Sequence, residues 1–411
     1  MRFPRPDTSH SIVIWTAGLA SLLPLVVFSH SFQQLYFFHD DWELLDGAAR
    51  SNLWEWLFQP FLGESIIPVF KLLWLGAVRL FGGGYFAMIC LLWATHLANC
   101  LLFGWLLARF RVSPAGIGFA VLTFGLAWSN IETLGWSMQW CLLLALLFFL
   151  VAWHWLLRIM EGGRGVAGYV LCLLASALSS SRGIVCGLLL ALFVLLSPAA
   201  RKRKTFLCAV SIAPPVLAAL AMYLFVVRHG SGRDLTAALS YGAHYFLLNP
   251  LYHLLSIPKK TVGTLALLLY GILKIAVIVW ALWKADTRLR PLLLVLVAFD
   301  LANAAALGFA RFHTGLDTTV SSRYQYLSLF CFGPMAGLLV ARPKRLARAA
   351  VFLVWIPLLV YPWKRHAPRW AGWRGVQIRE RLAEVPDSSH FDPSSVTAGR
   401  ARELVTLYHL H

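Results

Sequence analysis

The run His39-Asp40-Asp41-Trp42 sets two carboxylates side by side about ten residues beyond a long apolar stretch, Ser11 to His30. Neighbouring carboxylates strain each other electrostatically, because both ionise cheaply only beside a cation or a hydrogen-bond donor. Such a pair suits a general base or a cation ligand; a solvated acidic loop is the plainer alternative. Other polar residues punctuate the ends of later apolar stretches. Asn130 and Glu132 stand in Trp128-Ser129-Asn130-Ile131-Glu132, Arg182 follows Ser179 to Ser181, and Arg311, His313 and Asp317 precede Ser321-Ser322-Arg323-Tyr324-Gln325-Tyr326. Arginine contacts phosphate in a bidentate manner, so carboxylates and arginines on one membrane face fit a lipid-phosphate substrate. Taken singly, Glu132 is equally a helix-end carboxylate, and Arg182 and Arg323 are equally anchors snorkelling to headgroups.

Apolar helices must position these residues. The 411-residue chain is 59% apolar and 13% charged, with 18 Trp, against about 45–50% apolar and about 25% charged in ordinary globular domains. A bilayer core needs roughly 20 apolar residues per helical span, and no recurring two-residue alternation marks a β-barrel. The composition therefore predicts an all-α polytopic membrane protein. Eleven segments have span-like length: roughly 11–30, 85–108, 115–129, 138–157, 166–180, 183–197, 205–227, 262–283, 292–310, 324–341 and 347–362.

With the N-terminus cytoplasmic, every inner loop is basic: Arg109 and Arg111; Arg158 and Arg164; Arg201 to Lys204; Lys284, Arg288 and Arg290; Arg342, Lys344, Arg345 and Arg348. This obeys the positive-inside rule and accounts for the net charge of +18 without nucleic acid. The first outer loop, 31–84, is acidic, carrying Asp40, Asp41, Glu43, Asp46, Glu55 and Glu64. The agreement requires that 66–81, interrupted by Lys71 and Arg79, lie in the interface as an amphipathic helix and not span. Residues 228–261, with Pro250, Pro258 and Lys259-Lys260, read as a second outer loop. The transmembrane module covers 1–362, and a short outer tail covers 363–411, where Trp363, Trp370 and Trp373 suit an interfacial belt and two helical stretches follow, about 374–385 and 399–409. Arg2 and Arg5 before the first apolar run read as a retained signal anchor. Seven cysteines without C-x-x-C spacing read as buried hydrophobes.

Inside the spans, His96 with Asn99, and His154, read as packed interior polars. Asp300 and Asn303 fit a helix-packing role, and Lys274 is unassigned. A transporter or flippase of an anionic or lipid-linked substrate would centre on such mid-span charges, commonly in broken helices of an inverted repeat, and no repeat is visible.

The ordered elements resemble the GT-C superfamily of membrane glycosyltransferases, which includes protein O-mannosyltransferases and lipid A aminoarabinose transferases. The resemblance rests on Phe38-His39-Asp40-Asp41-Trp42 after the first span, a proline-led helix from Pro68 to Phe81-Gly82, and His96-x-x-Asn99. It continues through Asn130-Ile131-Glu132 before Trp136 and Ser322-Arg323-Tyr324-Gln325-Tyr326. The resemblance implies Asp40 as general base, Glu132 as the second-loop carboxylate, and Lys71, Arg182, Arg323 and Tyr324 at the phosphate of a polyprenyl-phosphate sugar donor. His39, Asn130 and His313 are further site candidates, and Asp41 is the orienter of Asp40 or ligand of an optional divalent cation, Mg or Mn. The expected reaction is an inverting sugar transfer to a glycan, lipid or protein acceptor at the outer face of a bacterial inner membrane. A polysaccharide polymerase or ligase is the neighbouring enzyme alternative. Three features depart from relatives: the surface helix has one proline where relatives often have an Arg-Pro or Pro-Pro pair, Ser180-Ser181-Arg182-Gly183 replaces a Lys-Glu-x-Gly pattern, and the large C-terminal domain of several relatives is not in evidence.

Overall fold

The computed structural model describes residues 10–61, 65–198, 201–225, 234–255, 263–342, 344–390, 392 and 394–411, which form helices and turns with no β-strand. Arg2, Arg5, Glu64, Pro258, Lys259 and Lys260 lie outside the described residues. The first apolar run forms α1 (His10–Val27), followed by α2 (Ser29–Gln33). The first connecting region folds as α3 (Asp40–Arg50), α4 (Leu53–Phe58) and α5 (Pro68–Leu80). Next come α6 (Tyr85–Arg109), α7 (Pro114–Leu126), the short α8 (Ile131–Leu134), α9 (Trp140–Met160), α10 (Val166–Ser179), α11 (Ile184–Leu196) and α12 (Arg201–Phe225). The chain continues with α13 (Leu235–Leu248), α14 (Leu251–Leu255), α15 (Thr264–Lys284), α16 (Leu289–Arg311) and α17 (Gln325–Ala341). It closes with α18 (Arg345–Ala371), α19 (Gln377–Glu384) and α20 (Ala398–Tyr408).

Among the described residues, seven helices are long and apolar enough to cross a membrane, and α7 with the turn after it, bent by 44°, makes an eighth if the two count as one broken span. The other three expected spans, Ser11–Val27, Val166–Ser179 and Ser181–Leu196, are helices of 10–17 residues. At about 1.5 Å per residue they fall short of a hydrocarbon core of about 30 Å. The described residues of all eleven apolar segments are largely helical, but length alone supports seven or eight crossings.

Two boundaries differ from the sequence expectation. The last apolar segment does not stop near residue 362: it runs as one helical rod of 40 residues, Arg345–Glu384, through a π-turn at Gly372–Val376. Leu359, Trp363, Ala367 and Ala371 are buried at every fourth position, so the helical stripe outlasts the apolar composition, which Lys364 and Arg365 interrupt on the exposed face. The basic run expected as an inner loop from Arg201 instead opens α12, while the segment read as a second, partly helical outer loop contains α13 and α14.

Close approach of small residues joins the long helices, as expected where lipid tails compete equally for apolar side chains. A Cβ at Gly337 of α17 would stand 2.5 Å from the Gly116 carbonyl oxygen of α7, and one at Gly308 of α16 would collide with the Ala238 carbonyl of α13. Buried polar groups add specific ties. The Tyr326 hydroxyl is 2.9 Å from His96 Nδ1 and accepts from Asn99 Nδ2 at 3.2 Å, while His96 Nε2 meets the Gly125 carbonyl at 3.2 Å, so one chain of bonds links α6, α7 and α17. Lys274 donates to the Phe246 and Asn249 carbonyls at 2.6 and 2.5 Å and to Asp300 Oδ2 at 2.6 Å. All three ammonium protons are therefore committed to helix packing, the role expected of Asp300.

Helix order sorts the connections by end. The turns 128–139, 181–183 and 312–324 and the start of α6 share one end of the bundle with α3, while Arg109 and Glu161, paired at 2.7 Å, mark the other. The ion pair inside the bundle supplies a test. Removing one partner of a buried pair leaves a bare charge and costs about 3–5 kcal/mol. Lys274→Met is expected to lower the thermal unfolding midpoint of detergent-solubilised protein strongly, and Lys274→Met with Asp300→Leu to recover most of the loss.

Candidate active site

Asp40 and Asp41 occupy the first turn of α3, where the exposed backbone N–H groups favour negative charge. Consecutive helical residues point about 100° apart, and the two aspartates accordingly meet different surroundings. Asp41 is fully buried. Its Oδ1 accepts from the Ser137 hydroxyl at 2.6 Å, and its Oδ2 accepts from the Tyr85 hydroxyl at 3.2 Å and the Phe38 N–H at 3.3 Å. The donors are themselves held: Ser137 Oγ accepts from Trp74 Nε1 at 2.9 Å, and the Tyr85 hydroxyl accepts from the Ser137 N–H at 3.1 Å. Burial pushes the Asp41 carboxyl up to about 8 against the opposing pull of these donors.

Both Asp41 oxygens are thus engaged by protein donors. This does not fit a metal ligand at Asp41, and no cluster of three or more His, Cys, Asp or Glu arranged for a metal ion occurs among the described residues. Asp40 is half-buried. It lies within electrostatic reach of Arg323, and Cys141 feels the charges of both Asp40 and Arg182. Arg182 and Arg323 both lie against the ring of Tyr324, with their guanidinium carbons 5.8 and 5.1 Å from its centroid. The Tyr324 hydroxyl and Arg323 Nε are buried without a hydrogen-bond partner among the described residues. The structure therefore gathers Asp40, Arg182, Arg323 and Tyr324 from three distant turns.

Glu132 belongs to this cluster in a supporting capacity. Its Oε2 accepts the Arg323 N–H at 2.9 Å and the hydroxyls of Ser321, at 3.4 Å, and Ser322. One carboxylate thereby caps the turn that carries Arg323 and Tyr324. Asn130 is buried and donates to the Phe124 carbonyl at 2.7 Å, closing the end of α7.

Lys71 stands apart from the phosphate role expected of it. It is 2% exposed, its ammonium donates to the Trp56 and Gln59 carbonyls at 2.6 and 2.7 Å, and burial lowers its pKa to about 8. Those bonds anchor the C-terminal end of α4 to α5. His313 is exposed on the turn after α16, edge-on to Phe312, and no hydrogen bond or ion pair ties it to the cluster among the described residues.

Several participants escaped sequence reasoning. Tyr85, Ser137 and Trp74 carry no motif, and their convergence on Asp41 is visible only in three dimensions. The tail supplies two more: Arg374 Nη1 donates to His39 Nε2, and Asp392 Oδ2 accepts the His39 N–H. The tail aromatics mark the neighbourhood, since Trp370 lies edge-on to Phe38 at 5.9 Å and Phe38 stacks on Trp136 at 5.1 Å. The turn bearing Glu132 also walls a cleft of about 350 Å³ lined by Trp128, Leu254, Leu255, Leu358, Tyr361 and Pro362, with Arg365 and His366. The same helix that lines this cleft carries on to Arg374.

No protein-family model and no curated protein sequence matches the chain. Two solved structures resemble it. One is the archaeal oligosaccharyltransferase AglB from Archaeoglobus fulgidus in complex with an inhibitory peptide and a dolichol-phosphate, at 15% identity and a TM-score of 0.52. The other is the Archaeoglobus fulgidus oligosaccharyltransferase in the apo form, at 16% identity and a TM-score of 0.52. Each match covers 93% of this chain and 58% or 59% of the other, so the chain spans just under three fifths of the length of those enzymes. At such identity the likeness is one of fold alone: the chain shares its helical fold with part of those oligosaccharyltransferases.

Proposed function

We propose that the protein is an integral-membrane glycosyltransferase that moves a sugar from a polyprenyl-phosphate donor to an acceptor hydroxyl at the outer membrane face. The observation that carries this reading is the convergence of the half-buried Asp40 with Arg182, Arg323 and Tyr324 at one end of the bundle. Asp40 takes the acceptor's hydroxyl proton while the acceptor oxygen bonds to the anomeric carbon. The bond from that carbon to the phosphate oxygen breaks, and the phosphate monoester departs as an anion. Single displacement of this kind inverts the anomeric centre. The leaving group needs neutralising charge more than a proton, which suits two arginines set against one tyrosine ring. The buried Tyr324 hydroxyl and Arg323 guanidinium, adjacent to one another, supply donors for the phosphate oxygens. Glu132 holds the arginine-bearing turn, and Asp41 holds the first turn of α3. The apolar cleft beside the Glu132 turn accommodates part of the donor's isoprenoid chain. The neighbouring fold includes an oligosaccharyltransferase seen with a dolichol-phosphate, which favours a carrier lipid of this chemistry.

A glycosidase requires two carboxyls astride the scissile bond, and the buried, fully bonded Asp41 is unsuited to that task. A transporter reading centred on Asp300 and Lys274 loses its free charges to the bonds described above. Labelled glucose, mannose and arabinose on undecaprenyl phosphate, offered to membranes containing the protein, distinguish transfer from mere uptake into vesicles. Asp40→Asn is expected to lower transfer by about 10²–10⁴-fold with unchanged expression and donor binding; near-normal turnover removes Asp40 from the base role. Arg323→Ala and Arg182→Ala are expected each to lower kcat about 10²–10³-fold and to weaken binding of undecaprenyl phosphate itself, read by quenching of tryptophan fluorescence.

Asp41 gives a separate test through stability. Its carboxyl titrates near 8 when folded and near the ordinary 3.8 when unfolded. Its contribution to stability is therefore complete below about pH 4 and is lost as pH rises through about 8. Asp41→Asn is expected to flatten that part of the curve of unfolding temperature against pH; an unchanged slope excludes Asp41 as its source.

A further inference from the structure

We propose that Arg374 and Asp392, in the C-terminal tail, are positioning residues that aim Asp40 by clamping His39. The proposal rests on the reading of Asp40 as the base. His39 immediately precedes the first turn of α3 and has φ +50° and ψ −122°, a backbone conformation that a non-glycine residue adopts only when its surroundings enforce it. The Cα of Asp40 is one peptide plane away, so any relaxation at residue 39 rotates the start of α3 and swings the Asp40 carboxylate.

Two tail side chains hold the strained residue from opposite ends. Asp392, 5% exposed, accepts the His39 backbone N–H through Oδ2 and sets Oδ1 3.8 Å from His39 Nδ1. Arg374 donates from Nη1 to His39 Nε2. Because Nε2 accepts, the imidazole carries its proton on Nδ1, on the side of Asp392. Backbone, ring and tautomer are thus set together. The Trp136 ring, 5.8 Å from the imidazole, closes a further side.

The tail is built to deliver these groups. Arg374 sits within the π-turn Gly372–Val376, a widening of the helix that recurs at functional sites. The Arg374 carbonyl accepts the Tyr36 N–H at 3.2 Å. Gly375 approaches Gln34 so closely that any Cβ would overlap the Gln34 carbonyl oxygen. The Arg374 guanidinium also lies over the rings of Phe38, Trp370 and Trp373, with centroid distances of 5.0, 5.2 and 5.2 Å. Farther along, Ser395 bonds to Glu43 at 2.6 and 2.8 Å and Arg400 to Asp46 at 2.7 Å, so the tail follows α3 for two turns beyond the clamp.

Loss of alignment at a reacting group lowers turnover without weakening binding, and a displacement of about 1 Å is enough for roughly 10²-fold. With the full chain in detergent and the undecaprenyl-phosphate sugar that supports transfer by the wild type, Arg374→Met and Asp392→Ala are each expected to lower kcat about 10–100-fold. KM for the donor should stay within about threefold. Arg374→Lys, which keeps a cationic donor, should recover much of the rate. The double variant should lose little more than either single one, because the two residues act through one histidine. Unchanged kcat in the single variants, a rise in KM alone, or no difference between Lys and Met at 374 each overturns the proposal. If Arg374→Met fails to fold, the milder pair Arg374→Lys and Asp392→Asn carries the same kcat-against-KM comparison. Asp40→Asn is assayed beside them: activity in that variant removes the base reading, whereas an inactive Asp40→Asn with normal tail variants removes the clamp alone.

Discussion

A buried carboxylate governs this end of the molecule. Asp41 sits where water does not reach, and a charge or a proton held there is tolerable only because the Ser137 and Tyr85 hydroxyls and the Phe38 N–H converge on it. Those donors come from the entry to α3, the start of α6 and the turn before α9. Satisfying one acid therefore fixes three segments against one another, and the neighbouring Asp40 inherits its direction from that fixation. The inner aspartate is structural and the outer one is left half-buried beside cationic side chains.

The remaining groups arrive by the same means. Glu132 gathers the donors of residues 321–323 onto one carboxylate oxygen and so presents Arg323 and Tyr324. Arg182 reaches the same tyrosine ring from the turn between α10 and α11. Behind these turns, small residues let α7 meet α17 and α13 meet α16 backbone to backbone. Precision at the cluster thus derives from rigid membrane-embedded elements whose own packing leaves little slack.

Much of this was legible in the residues. Apolar length marked every long helix, and the charge pattern sorted the connections into two ends, because both signals are local and the membrane imposes them on each segment separately. The acidic pair, Glu132, Arg182 and Arg323 stood out because charge at a helix end beside lipid demands a reason. Lys71 misled for the same cause: a cation near a surface helix looks available until the Trp56 and Gln59 carbonyls are seen to hold it. Ser137 and Tyr85 were invisible, since ordinary residues acquire their importance from a partner 96 or 44 positions away. Arg374 and Asp392 were hidden more deeply, 335 and 353 residues from His39, behind a helix whose charged outer face masked its continuation.

That continuation has a mechanical meaning. The last helix is one rod of 40 residues, about 60 Å at 1.5 Å per residue. Its Leu358-to-His366 stretch walls the apolar cleft, and its far end grips the backbone just ahead of α3. One continuous element, with Pro357, Pro362 and Pro368 inside it, therefore joins the wall of the cleft to the segment that leads into the strained residue His39. A change in how the cleft is filled thus has a route along one helix to the start of α3.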